Sequence, residues 1–145
     1  MRYVVSACLV GCRCRWDGAG REDPRAVELL RQGLALPVCP EQLGGLATPR
    51  EPAELSGGDG EAVLRGEARV LTLSGRDVTD AFVKGAQEAA RLALSFGAEA
   101  ALLAPRSPSC GVSSVHGGGA VVPGMGVAAA ALTRAGLKLE ESAGG

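Results

Sequence analysis

The clearest structural signal in this chain is the stretch Arg2-Tyr3-Val4-Val5-Ser6-Ala7-Cys8, a short apolar run that ends at a cysteine. Its β-branched and aromatic residues favour an extended, buried conformation. Two later segments have the same character, because residues 34–38 directly precede Cys39 and residues 98–104 end six residues before Cys110. The sequence therefore predicts three buried strands, each followed by a cysteine.

Helical segments separate these strands. Residues 24–32 predict a helix with Asp23 as its N-cap and a proline at its first position. Residues 78–96 and 126–134 keep a helical spacing of apolar residues, and residues 137–139 predict a last short strand. Because alternating strands and helices are typical of an α/β fold, we expect a three-layer sandwich around a short, mostly parallel, Rossmann-like sheet.

The remaining segments predict loops and one small insertion. Residues 47–60, rich in proline, glycine and charge, predict a long surface loop, and residues 62–73 predict a small β-hairpin. Residues 105–125 predict a glycine-rich loop, and residues 140–145 predict a frayed tail. A length of 145 residues fits one domain, so residues 1–145 are expected to form a single α/β domain.

The composition argues against several classes of function. A net charge of −1 without a basic stripe argues against nucleic acid as the main ligand, although Arg13, Arg15 and Arg21 form a local basic cluster. No apolar run approaches the ~20 residues of a membrane span. The N-terminal apolar run is too short for a secretory signal, so we expect a cytoplasmic protein. We expect it to be either a monomer or a homodimer.

The five cysteines are the main functional signal. Disulfides are rare in a reducing compartment, where clustered cysteines are more often metal ligands or catalytic thiols. The carboxyl ends of parallel strands lie along one edge of a sheet, and ligands bind in the crevice at that edge. Cys8, Cys39 and Cys110 are therefore predicted to converge there, and Cys14 can reach the same place from the loop after Cys8.

Converging thiolates suit a soft metal, either zinc or an iron–sulfur cluster. A structural zinc site usually contains local Cys-x-x-Cys pairs, which this sequence lacks. Ligands from separate loops favour a cluster in a preformed cleft. Two other interpretations remain open at this point, a catalytic thiol and small buried core residues, which free cysteines often are.

Polar residues near the cysteines are candidates for acid–base chemistry. Glu41 lies in a proline–glycine loop, where a carboxylate is either catalytic or simply solvated. Ser107 and Ser109 precede the last cysteine, in a position where serines are more often turn formers than catalysts. Trp16 is either a core or a stacking residue, and His116 is predicted to be an exposed histidine in a loop.

Six motifs occur in order along the chain: Ser6-Ala7-Cys8-Leu9-Val10-Gly11, Cys14-Arg15-Trp16-Asp17-Gly18, Pro37-Val38-Cys39-Pro40-Glu41-Gln42-Leu43-Gly44-Gly45-Leu46, Thr48-Pro49-Arg50, Gly75-Arg76-Asp77-Val78-Thr79 and Ser107-Pro108-Ser109-Cys110-Gly111. Together they resemble the thiouracil desulfidase family, long labelled only as domain of unknown function 523. The resemblance extends from residue 3 to about residue 136, nearly the whole chain.

This resemblance implies a [4Fe–4S] cluster held by Cys8, Cys39 and Cys110, with one iron left open. Cys14 also belongs to a family motif and is the alternative ligand. The resemblance further implies that Glu41 deprotonates an attacking water and that Ser107 is the catalytic serine, which positions this water or passes a proton.

The implied reaction is a non-redox desulfidation, in which the open iron acts as a Lewis acid toward the thiocarbonyl sulfur of a small thiolated pyrimidine such as 2-thiouracil. The predicted substrate contacts are Arg15, Asp17 and Ser109. Residues 112–120 are shorter than the usual family loop, so the substrate need not be thiouracil itself. The alternatives are a non-catalytic iron–sulfur or zinc module that stores or senses sulfur, and a thiol enzyme.

Overall fold

The computed structural model describes residues 1–143, in which helices separate most of the consecutive strands. The strands are β1 (Tyr3–Ser6), β2 (Ala35–Val38), β3 (Ala53–Ser56), β4 (Arg69–Thr72), β5 (Ala100–Leu103), β6 (Ser114–Gly117), β7 (Ala120–Pro123) and β8 (Lys138–Glu141). The helices are α1 (Pro24–Arg31), α2 (Pro40–Leu43), α3 (Gly60–Leu64), α4 (Thr79–Phe96) and α5 (Val127–Arg134), and a 3₁₀ turn covers Ala7–Val10.

The first sheet is parallel throughout and has the strand order β2-β1-β5-β8. Tyr3 at the start of β1 pairs with Ala35 of β2 on one side and with Ala100 of β5 on the other. Both central strands, β1 and β5, are buried at every residue. The predicted α/β class and the mostly parallel sheet are confirmed.

Helices cover both faces of this sheet. Helix α1 starts as predicted, because the Asp23 carboxylate accepts a hydrogen bond from the Arg25 amide at 2.8 Å and Pro24 occupies the first turn. The crossover through α1 leads from β1 to β2, whereas the crossover through α4 leads from β2 to β5, in the opposite direction across the sheet. Because such crossovers are right-handed, the two helices lie on opposite faces of the sheet. Helices α4 and α5 pack against each other through buried alanines. These helices and the sheet make the three layers.

The second sheet corrects the sequence prediction. Its order is β4-β3-β6-β7, and it arises from segments that were expected to be loops or a single hairpin. The predicted loop 47–60 contains β3, and the predicted hairpin 62–73 contains α3 and β4 instead. The Asp59 carboxylate caps α3 by accepting from the Ala62 amide at 3.2 Å, which places a helical turn between the paired strands. The predicted loop 105–125 contains the β6–β7 hairpin.

The end of the described chain is also ordered differently from the prediction of a frayed tail at 140–145. Strand β8 continues to Glu141, which pairs with Leu103 of β5. Ser142 is buried, and its hydroxyl donates a hydrogen bond to the Asp23 carboxylate at 2.5 Å. Side-chain hydrogen bonds to distant elements therefore hold this segment. Residues 144 and 145 lie outside the described residues.

Two apolar clusters form the core. One lies around the first sheet and the other beneath the second sheet, and helix α4 contributes to both through Ala89 and Phe82 respectively. The carboxyl edge of the first sheet faces the second sheet, which leaves room for a cavity between them. Among residues 1–143, no helix has the length and apolar character needed to cross a membrane.

Candidate active site

A cavity of about 630 Å³ lies at the carboxyl edge of the first sheet. Residues that follow β1, β2 and β5 line its inner wall, and residues of the second sheet, including Glu54 and His116, line its outer wall. This is the crevice where ligands bind in open parallel sheets. The strand order reverses direction between β1 and β5, so the cavity also lies at the topological switch point.

Four of the five cysteines line this cavity: Cys8, Cys14, Cys39 and Cys110. Cys8, Cys14 and Cys110 are buried and Cys39 is half-buried, so none of the four thiols is freely exposed to solvent. Cys12 is exposed and is not part of the cavity wall. The structure thus brings together the three thiols predicted to converge and the alternative one.

Cys8 and Cys110 are positioned by the chain directly after the two central strands. Cys8 lies in the 3₁₀ turn after β1, which Gly11 closes with a φ of 97° that favours glycine. The Ser6 hydroxyl, at the end of β1, accepts a hydrogen bond from the Ala104 amide at 3.0 Å and interacts with the Cys110 thiol. The ends of β1 and β5 are therefore tied together beside these two cysteines.

Cys39 is the N-cap of the short helix α2, and Cys14 reaches it from the loop after β1. The Cys39 sulfur lies 3.7 Å from the carbonyl oxygen of Cys14. Helix α2 packs closely on α4, since a Cβ at Gly44 would overlap the Ala81 carbonyl group and one at Gly85 would overlap the Pro40 carbonyl group. Two glycines thus set the position of the helix that carries Cys39.

The thiols influence one another electrostatically. Burial raises the pKa of the Cys8 thiol to about 11, and the negative charge of Glu41 adds to this effect. Burial raises the pKa of Cys110 as well, again with a contribution from Glu41. A hydrogen bond between Cys14 and Cys39 raises the pKa of Cys14 and lowers that of Cys39. Burial and mutual repulsion therefore oppose ionisation of several of these thiols at once, and a cationic centre would favour it.

Glu41 lies in the first turn of α2 and its side chain is largely buried, with 14% exposed. Its Oε1 atom lies 4.0 Å from the Cys39 sulfur, and its Oε2 atom lies 3.5 Å from the Arg50 guanidinium. Burial raises the pKa of Glu41, while Arg50 and the Ser109 hydroxyl oppose that shift. A carboxylate with a raised pKa beside a cavity is suited to accept a proton.

The two candidate serines have different surroundings. The Ser107 hydroxyl accepts hydrogen bonds from the amides of Ser109 and Cys110, both at 3.0 Å, and so shapes the turn that carries Cys110. Ser109 is 1% exposed and its hydroxyl has no hydrogen-bond partner of ordinary geometry within residues 1–143. Its hydroxyl nevertheless lies near enough to Glu41 to lower the pKa of that carboxyl.

The structure places only one of the three predicted substrate contacts on the cavity wall. Arg15 lines the cavity, whereas Asp17 and Ser109 are not part of its wall. The Asp17 carboxylate instead accepts a hydrogen bond from the Ala19 amide at 3.0 Å and stabilises an exposed turn. An aspartate that accepts a hydrogen bond from the amide two residues later is typical of a turn. This contact does not support a role for Asp17 in substrate binding.

Several residues of the cavity wall were not assigned to the site from the sequence. Trp16 is 46% exposed on this wall, and Arg21, Arg50 and Arg106 also line it. Arg106 has a φ of 64°, a left-handed conformation that is uncommon outside glycine. Trp16 and Arg50 belong to the family motifs, and this membership could have identified them as site residues. Arg106 had no signal, because positive φ at an arginine cannot be anticipated from its neighbours.

The sequence and the fold are similar to those of known proteins. A family model described as 2-thiouracil desulfurase matches residues 3–143. The uncharacterized protein YbbK of Bacillus subtilis (strain 168) is 42% identical over 139 residues, which cover 94% of this chain and 92% of that protein. The solved structure of the [4Fe–4S]-dependent thiouracil desulfidase TudS has a TM-score of 0.84 at 39% identity, covering 97% of this chain and 89% of that one. The resemblance stated from the motifs is confirmed, and the chain belongs to the 2-thiouracil desulfurase family.

Proposed function

We propose that this chain is an iron–sulfur-dependent, non-redox desulfidase that removes sulfur from thiolated pyrimidines such as 2-thiouracil. The observation that supports this most strongly is the placement of four cysteine thiols and the Glu41 carboxyl group around one cavity. Membership of the 2-thiouracil desulfurase family and similarity to a [4Fe–4S]-dependent thiouracil desulfidase support the same function.

The donor set fits an iron–sulfur cluster. Cys8, Cys39 and Cys110 would hold it, with Cys14 as the alternative ligand, because soft thiolates are the ligands such clusters require. Among residues 1–143, no three His, Cys, Asp or Glu side chains surround a single point closely enough for one metal ion. The thiols instead line one cavity of about 630 Å³, which has room for a cluster.

Cys14 differs from the other three cysteines in a way that favours a supporting role. Its backbone carbonyl oxygen lies 3.7 Å from the Cys39 sulfur, so its backbone contacts a proposed ligand. Its backbone carbonyl accepts a hydrogen bond from Arg50 at 3.0 Å. We therefore assign the three ligand positions to the cysteines after β1, β2 and β5.

The bound cluster would supply a Lewis-acidic iron for the soft thiocarbonyl sulfur of the substrate. The Oε1 atom of Glu41 would take a proton from a water molecule while the oxygen of that water forms a bond to the thiocarbonyl carbon. Cleavage of the carbon–sulfur bond then releases sulfide and leaves a carbonyl group. One water is consumed and no electrons are gained or lost, so neither an oxidant nor a reductant is needed.

Serine and aromatic side chains complete the proposed site. Ser109, buried beside Glu41, is placed to orient that carboxyl group, and Ser107 holds the turn of Cys110. The exposed ring of Trp16 on the cavity wall offers a surface on which a planar pyrimidine can stack. Arg15 on the same wall can donate hydrogen bonds to carbonyl oxygens of the substrate.

The test is sulfide release from a panel of thiolated pyrimidines by protein purified and reconstituted without oxygen. We expect one cluster per chain and release of sulfide from 2-thiouracil or a close relative. Glu41→Gln should keep the cluster and lower the rate by ~10²–10⁴-fold, the usual contribution of a general base. Glu51→Gln is the matched control, because Glu51 lies on the same cavity wall but is exposed.

Two results would refute the proposal. Cluster-loaded protein that releases no sulfide from any thiolated pyrimidine would favour the non-catalytic module that stores or senses sulfur. Full activity in metal-free protein, abolished by iodoacetamide, would instead indicate a thiol enzyme.

A further inference from the structure

We infer that Arg50 is a positioning residue that fixes the Glu41 carboxylate relative to the cysteine loop; the inference rests on the proposed function. The side chain of Arg50 is 11% exposed, which is unusual for an arginine without a structural or functional task. It lies on the cavity wall at the junction of two chain segments that both carry cysteines.

The guanidinium group of Arg50 contacts both segments. Its Nη2 atom donates to the carbonyl oxygen of Cys14 at 3.0 Å and lies 3.5 Å from the Oε2 atom of Glu41. Its Nη1 atom donates to the Thr48 hydroxyl at 3.1 Å and to the Ala47 carbonyl at 3.3 Å. One planar group therefore spans the loop that carries Cys14, its own turn and helix α2.

Backbone and side-chain contacts strengthen the same junction. The Arg50 amide donates to the carbonyl oxygen of Trp16 at 2.8 Å, two residues beyond Cys14. The Gln42 side chain, in α2, donates to the Thr48 hydroxyl at 2.9 Å. The turn at residues 47–50 is thus hydrogen-bonded to the cysteine loop on one side and to α2 on the other.

These contacts determine which oxygen of Glu41 can act in the cavity. Arg50 engages Oε2, while Oε1 is the atom that lies beside the Cys39 sulfur. Without Arg50 the carboxylate could rotate, and either oxygen or neither would point toward the substrate. The guanidinium therefore orients the carboxylate while leaving one oxygen available for proton transfer.

A lysine cannot reproduce this arrangement fully. Arginine presents several N–H donors in a rigid fork, whereas a lysine ammonium is a single point charge on a flexible chain. The acceptors around Arg50 lie on three separate pieces of chain, so a lysine can contact only some of them. The conservative variant should therefore restore the activity only partly.

The experiment measures kcat, KM and iron content for Arg50→Met and Arg50→Lys. We expect both cluster-loaded variants to keep KM within about threefold of wild type, while Arg50→Met loses about 10²-fold in kcat because the base is misplaced. Arg50→Lys should lose about tenfold, since its charge reaches fewer acceptors. Arg76→Met is the matched control, because Arg76 lines the same cavity and makes none of the contacts described for Arg50.

A double-mutant cycle shows whether Arg50 acts through Glu41. In the Glu41→Gln background, Arg50→Met should lower kcat by less than about threefold, because the group it positions is already neutral. Full additivity of the two losses would overturn the inference, as would a kcat for Arg50→Met equal to that of wild type. If Arg50→Met does not fold or bind the cluster, Arg50→Lys provides the same two tests.

A crystal structure of cluster-loaded Arg50→Met provides a measurement independent of activity. We expect the Glu41 carboxylate to be turned away from the Cys39 sulfur, and an unchanged carboxylate would overturn the inference. If wild-type protein shows no desulfidase activity, the proposed function fails, while this structure still determines whether Arg50 fixes Glu41.

Discussion

The two four-stranded sheets of this molecule use their strands differently. Every residue of β1 and β5 in the first sheet is buried, whereas every residue of β7 in the second sheet is exposed. The first sheet is parallel and its strands lead into Cys8, Cys39 and Cys110. The second sheet joins two hairpin-like pairs through a single parallel pairing of Leu55 with Gly117. The first sheet places the reactive groups, and the second closes the cavity over them.

Stability should depend most on the first sheet. Leu102, in the centre of β5, is 1% exposed, and its replacement by alanine leaves a cavity in the core. We expect Leu102→Ala to lower the free energy of unfolding by about 2–5 kcal/mol. Urea unfolding followed by circular dichroism measures this change. A loss below about 1 kcal/mol would mean that the first sheet is not the main core.

The contact between α2 and α4 should respond next. A Cβ at Gly85 would overlap the carbonyl group of Pro40, so Gly85→Ala must move α2 together with Cys39 and Glu41. We expect a loss of about 1–3 kcal/mol in the free energy of unfolding, together with weaker cluster binding. Gln87→Ala is the control for local effects, since Gln87 lies in the same helix and its side chain is exposed. Equal iron content in Gly85→Ala and wild type would contradict this expectation.

The junction between β4 and α4 should give a pH-dependent effect. The Asp77 carboxylate accepts a hydrogen bond from the Thr79 amide at 2.9 Å and pairs with Arg69. Interactions with the Thr79 hydroxyl, the Thr79 amide and Arg69 lower the pKa of Asp77 to about 2. Because the folded-state pKa lies below the ordinary value, the stabilisation is complete above about pH 4 and disappears as the pH falls toward 2.

We therefore expect Asp77→Asn to be less stable than wild type at pH 7 and to approach wild-type stability at pH 2.5. Urea unfolding at both values measures the difference. A difference that stays constant with pH would show that the charge of Asp77 does not contribute.

The outer edge of the second sheet should be the most tolerant region. Val122 in β7 is 37% exposed, and its side chain contributes little to either apolar cluster. We expect Val122→Thr to change the free energy of unfolding by no more than about 0.5 kcal/mol, as surface substitutions usually do. Thermal unfolding of the variant beside wild type is sufficient to measure this. A loss comparable to that of Leu102→Ala would show that β7 packs against something in solution.

The same contrast explains which parts of the fold could be predicted from the sequence. Strands β1, β2 and β5 were predicted correctly because burial on both faces requires unbroken apolar runs. Strand β3, with the sequence Ala53-Glu54-Leu55-Ser56, has one buried residue, and its partner β6 lies about sixty residues away in the chain. A strand with a single buried residue leaves no continuous apolar run in the sequence, so the second sheet was expected to be loop and a small hairpin.

The candidate site was predictable to a similar extent. Cysteines directly after parallel strands can be brought together by topology alone, and Cys8, Cys39 and Cys110 do line one cavity. The pair Asp17-Gly18 favours a turn locally, whereas the contacts of the Arg50 guanidinium depend on side-chain geometry that the sequence does not encode locally. The roles of Ser107 and Ser109 likewise depend on which hydroxyl is used by backbone amides.

The most direct test of the proposed centre is the number of iron and acid-labile sulfide ions bound per chain after anaerobic reconstitution of serine variants. We predict one [4Fe–4S] cluster in wild type, in Cys12→Ser and in Cys14→Ser, and little or none in Cys8→Ser, Cys39→Ser and Cys110→Ser. Cys12 is the matched control because it is exposed and lies outside the cavity. A full cluster in two or more of the last three variants would contradict the proposal that these thiols bind it.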